Sequence, residues 1–99
     1  MTTNTKRPPI VHQLKSWPEP FAATWSGKKQ YDVRTADRDF RVGDYLLLQE
    51  YVPESTSPYT GRCMVALITY ITPPEHWGLP SDLCVLGIEV VDRQEPSAP

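Results

Sequence analysis

Ser26-Gly27-Lys28-Lys29-Gln30-Tyr31-Asp32-Val33-Arg34 is a glycine turn that feeds a strand carrying Lys29, Asp32 and Arg34. It separates a short helical segment from an unbroken series of strands, so its reading decides the fold. Upstream, Trp17-Pro18-Glu19-Pro20-Phe21 opens a helix whose prolines fit only a first turn, where their missing N–H groups cost nothing. Phe21 and Trp25 then share one face at i, i+4, and Gly27 suits a left-handed stop. Val11–Lys15 before this helix reads as a first strand. Downstream, Asp44–Val52, Arg62–Ile71 and Leu83–Val91 are dense in Leu, Val, Ile and Tyr and read as strands. Pro53–Gly61 and Glu75–Asp82 read as exposed loops. The order β-α-β-β-β-β predicts a mainly β (α+β) fold, a small five- to six-stranded β-barrel, because closure buries apolar strands and removes edges. The helix is expected to flank one end and form a cleft.

The 99 residues suffice for one domain with one core. Residues 10–92 are expected to form it, between polar, proline-rich tails at 1–9 and 93–99. The net charge of −2 argues against wholesale polyanion binding. The balance is uneven: residues 1–50 hold eight Lys/Arg and six Asp/Glu, against two and six in residues 51–99. This imbalance leaves room for a local positive site on a mildly acidic body. No apolar run approaches the roughly 20 residues of a membrane span, and the first nine residues lack a signal peptide's apolar centre, so a cytoplasmic location is expected. Cys63 and Cys84 have no partner at metal-ligand spacing and read as small hydrophobes. His12 and His76 are equally isolated, His12 as a half-buried, hydrogen-bonded residue of the first strand. Neither a metal nor a cofactor is expected.

The pattern Gly27-x-Lys29-x-x-Asp32-x-Arg34, after a short helix, resembles the ASCH superfamily, whose fold is a PUA-like β-barrel. The surrounding His12-x-Leu14-Lys15-x-Trp17-Pro18, Asp37-Arg38-Asp39-Phe40-x-Val42-Gly43-Asp44 and Tyr59-Thr60-Gly61-Arg62 are similar to a small subfamily of bacteria and their phages. The likeness covers residues 11–91. It implies a cleft between helix and barrel that takes RNA or a modified nucleoside. Asp32 stands where the superfamily usually has glutamate. It also stands where a branch of nucleoside amidohydrolases, acting on acetylated cytidine, has a threonine nucleophile, and a carboxylate cannot take over that role.

Asp32 and Arg34, two apart on a strand, project from one face. They read either as a surface ion pair, worth at most about 1 kcal/mol when exposed, or as a recognition pair. In the second case Arg34 meets phosphate or a base edge while Asp32 accepts from an exocyclic amine. Lys29 reads as a binding cation or as a charge favourably placed after a helix C-terminus. Catalysis would require burial or a neighbouring cation to strip its proton. Arg38, in a loop of alternating charge, is a turn device or part of a ligand lip. Trp17 and Trp77 are the candidate stacking rings, and Tyr59 a residue closing over a ligand from the long loop. Glu50, near the end of an apolar strand, either reaches solvent or points into the cleft as an acid or base.

The expected function is therefore recognition of RNA or a small nucleoside or nucleotide around Lys29, Asp32 and Arg34, by a monomer with no membrane contact. Its alternatives are an enzyme, either an amidohydrolase on acylated nucleosides or a weak ribonuclease, with Lys29 and Asp32 or Glu50 as the working pair, and a protein-interaction module.

Overall fold

A computed structural model describes residues 7–96. It contains five strands and one α-helix: β1 (Val11–Ser16), α1 (Pro18–Trp25), β2 (Tyr31–Thr35), β3 (Tyr45–Tyr51), β4 (Tyr59–Thr72) and β5 (Leu83–Gln94), with a single 3-10 turn at His76–Gly78. The strands form one sheet in the order β1-β3-β4-β5-β2. The β1–β3 pair is parallel and the other three are antiparallel. No helix among the described residues is long and apolar enough to cross a membrane.

Alternation explains the core. Leu46 and Leu48 of β3, Met64, Ala66 and Ile68 of β4, and Leu86 and Ile88 of β5 all point to the concave face and are buried. Phe21 of α1 closes this face from above, fully buried, with Trp25 packed beside it at 5.6 Å between ring centroids. Gly27 takes φ +86, as the expected helix stop requires. Register shifts at Gln49/Tyr51, Val65/Ala66 and Ile68/Tyr70 bend the long β4 against its neighbours and curl the sheet into a half-barrel. The two edge strands, β1 and β2, face each other without a ladder between them. The Arg34 side chain crosses this seam, donating from Nη2 to the Lys15 carbonyl at 2.9 Å.

Three boundaries differ from expectation. Tyr59, Thr60 and Gly61 belong to β4 rather than to a loop, because Tyr59 pairs with Tyr51 beyond the bulge. Arg93 and Gln94 extend β5 instead of starting a tail, paired with Met64 and Cys63 on the long β4. Arg7, within the expected N-terminal tail, is anchored: its guanidinium donates to both carboxylate oxygens of Asp44, at 2.8 and 2.9 Å. The remainder of both tails, residues 1–6 and 97–99, lies outside the described residues.

Asp44 is the hub of that anchor and only 1% exposed. It also accepts from His12 Nε2 at 2.8 Å and from the backbone N–H groups of Ile10 and Arg41. His12 is therefore buried rather than half-buried, with Phe40 against its ring at 4.7 Å. The Arg7 hydrogen bonds hold the Asp44 carboxyl well below the usual carboxylate range, against the opposing effect of burial.

Candidate functional site

The end of β1, the start of α1 and the whole of β2 enclose a cleft of about 420 Å³ at the seam. Its walls include Ser16, Trp17, Lys29, Tyr31, Asp32 and Arg34. Local structure sets each position. Gly27 ends the helix, the Lys29 N–H returns to the Ala23 carbonyl, and the chain then enters β2 with Asp32 and Arg34 on its inner side.

Asp32 is 6% exposed and clasped by two cations. Lys29 Nζ donates to its Oδ1 at 3.1 Å, and Arg34 Nε to its Oδ2 at 2.6 Å. Lys29 Nζ donates a second bond to the Tyr31 carbonyl at 2.7 Å and lies 4.8 Å from the Tyr31 ring centroid. Of the three ammonium donors of a lysine, one has no acceptor among the described residues. Arg34 likewise keeps part of its fork after bonding Asp32 and Lys15. The ion pair is thus partly buried, and it orders both cations at the wall of the cleft. Cys84 is the register partner of Arg34. Burial, with the Asp37 and Asp32 charges adding to it, pushes its thiol upward, so it is a neutral group rather than a thiolate nucleophile.

The remaining candidates lie at different distances from this centre. Trp17 is exposed on the rim. Arg38 shares a smaller neighbouring cavity, about 170 Å³, with Arg34 and Phe40. Tyr59 packs edge-on against Tyr51 at 5.0 Å, and Lys15 of the cleft wall sits 4.4 Å over that Tyr51 ring. Trp77 is 93% exposed on the β4–β5 connection and does not line the cleft. Glu50 is buried in a separate network, accepting from Thr60 Oγ1 at 2.8 Å with Arg62 Nη1 at 3.7 Å. The working pair of Lys29 and Glu50 is therefore not in contact, whereas Lys29 and Asp32 are. Five wall residues, Lys15, Ser16, Pro20, Tyr31 and Val33, are not among the sequence candidates. Tyr31 is exposed at the cleft, and Ser16 carries no motif at all. The alternation of β1, with His12, Leu14 and Ser16 inward, is the signal that would have found the latter.

A second cavity, about 460 Å³, adjoins Lys29 on its other side and is lined by Thr24, Gln30, Glu89 and Arg93 among others. The two cavities together gather Lys15, Lys29, Arg34 and Arg93 against Asp32 and Glu89. Positive charge thus prevails here in a chain of net charge −2.

Residues 11–88 match the family described as Domain of unknown function (DUF3850). An uncharacterized 12.9 kDa protein in the GpA 3′ region of Escherichia phage P2 is 34% identical over 67 residues, which cover 68% of this chain. The match spans 59% of the phage protein's own length. The matched family segment runs from the first residue of β1 to Ile88 of β5, and so contains both walls of the motif cleft. The chain accordingly belongs to the DUF3850 family.

Proposed function

We propose that the chain binds RNA or a modified nucleoside in the seam cleft, as a member of the ASCH superfamily with a PUA-like half-barrel. The observation that carries this reading is the buried Asp32 held between Lys29 and Arg34 in a cleft where basic groups outnumber acidic ones. Such a wall offers donors to phosphate or carbonyl oxygens. Asp32 has lone pairs left for an amine or a ribose hydroxyl. Trp17 on the rim offers a stacking face worth about 1–3 kcal/mol per base. Lys29 is engaged as a cation by two acceptors, which favours recognition over proton abstraction.

A thermal-shift screen against ordinary and modified nucleosides, with mass spectrometry of each mixture afterwards, tests the reading. Binding at about 100 times Kd stabilises by about 2.7 kcal/mol, a rise of roughly 10 °C for a domain of this size. Arg34→Ala should abolish that rise, and acetylated cytidine should be recovered intact. Its conversion to cytidine would make the protein an amidohydrolase instead. No shift with any nucleoside would overturn the proposal and favour a protein partner.

A further inference from the structure

We propose that the seam cleft is one lobe of a bipartite site, whose occupant is a two-nucleotide unit of single-stranded RNA with its bridging phosphate at Lys29. The proposal rests on the nucleic-acid reading above and adds a second subsite to it.

Lys29 lines both cavities, the seam cleft on one side and the cavity under the last turn of α1 on the other. Each cavity falls within the roughly 300–1,000 Å³ of small-molecule sites. Each is also lined by a hydroxyl-bearing residue, itself more than nine-tenths buried, whose hydroxyl has no hydrogen-bond partner among the described residues. These are Ser16, 7% exposed, in the seam cleft, and Thr24, 2% exposed, in the second cavity. A buried hydroxyl without a partner destabilises the fold, and such groups are few in native proteins. Two of them, one on the last residue of β1 and one in the last turn of α1, each on a residue of a cavity wall, mark two places where a ligand atom completes the bonding.

Charge orders the ligand between the lobes. Lys29 has one unengaged donor, and Arg34 on one side and Arg93 on the other keep donors beyond their bonds to Asp32, Lys15 and Trp25. A single phosphodiester, carrying one negative charge, matches this arrangement at the shared wall. Glu89 in the second cavity repels a terminal phosphate and accepts from a ribose hydroxyl or a base amine instead. The phosphate therefore belongs at Lys29, with one nucleoside in each lobe.

The test uses the intact chain and, for each of the four bases, the ribonucleoside, its 5′-monophosphate and its homodinucleotide, with affinities read by calorimetry. The wild type should bind the preferred dinucleotide about tenfold or more tighter than the monophosphate, the gain of a few hydrogen bonds to charged and hydroxyl groups. Thr24→Val and Arg93→Lys should remove most of that gain, bringing the dinucleotide close to the monophosphate in affinity. Arg34→Ala should weaken all three ligands. Thr24→Val should also melt no lower than the wild type, since the hydroxyl it removes is unpaired. A melting point several degrees lower would show a bond inside the fold and overturn the assignment. Equal affinity for monophosphate and dinucleotide, with nucleoside binding still lost in Arg34→Ala, would overturn the second lobe alone. No binding by the wild type would overturn both lobes.

Discussion

Two buried aspartates, Asp32 and Asp44, divide the charged chemistry of this chain between them. Each is met by a guanidinium and a second nitrogen donor side chain, yet their surroundings differ. Asp44 is sealed by backbone N–H groups and His12 and ties the chain around Arg7–Ile10 to the start of β3. Its role is structural. Asp44→Asn should lower stability by about 2–4 kcal/mol through lost charge-assisted bonds, on the order of 10 °C or more in Tm. Because the fold depresses the Asp44 carboxyl, its stabilisation is fully present above the ordinary value of about 4. It is lost as pH falls below that value. Melting curves between pH 6 and pH 2 should therefore drop more steeply for the wild type than for Asp44→Asn. A parallel pair of curves would count against the assignment. Nothing in Val42-Gly43-Asp44 announces this role, because its partners Arg7, Ile10 and His12 come from another part of the chain. Asp32 and Arg34 were legible as a pair, since two-residue spacing on a strand puts both on one side.

At the scale of elements, α1 is too short to persist alone and depends on docking. Its prolines, the glycine stop and the Phe21/Trp25 spacing were all readable, because each is a local constraint. Phe21→Ala should cost about 3–5 kcal/mol as a fully buried aromatic. Chemical denaturation should report that loss with an unchanged m-value. The extents of β4 and β5 were less legible. Pro58 and Gly61 give their segment a loop's composition, and Glu95–Pro96 do the same for the chain end. Pairing of Tyr59 with Tyr51, and of Arg93 with Met64, decides otherwise. The bulges that curl the sheet have no sequence mark here. At the seam, Arg34→Met should leave β1 and β2 joined only to β3 and β5. Amide exchange in Lys15–Trp17 and β2 should then accelerate while β4 stays protected. Unchanged exchange at the seam would mean that the Arg34 bridge does not hold it.

Across the whole molecule, the proposed binding rests on where charge sits rather than on its total. The chain is acidic, yet four basic groups converge on two adjoining cavities. A ligand that meets this region through one phosphate should show weak salt dependence, with a log–log slope of about −0.7 for single-stranded nucleic acid. A slope several times steeper would indicate a long polyanion lying across the surface. The basic first half of the sequence already pointed to such a local site. That Arg93, near the chain's end, joins it required knowing that β5 lies between β2 and β4.

That topology also sets when the cleft comes into being. One wall is β2, whose only ladder partner among the described residues is β5, with Asp32 opposite Leu86. The other wall is the end of β1, which waits for β3. During synthesis from the N-terminus, Lys29, Asp32 and Arg34 leave the ribosome early but have no sheet to join until Leu83–Gln94 has followed. The seam cleft is thus the last part of the fold to be assembled, although its motif residues are among the first to be translated. A nascent chain arrested before β5 would carry the complete motif and no site.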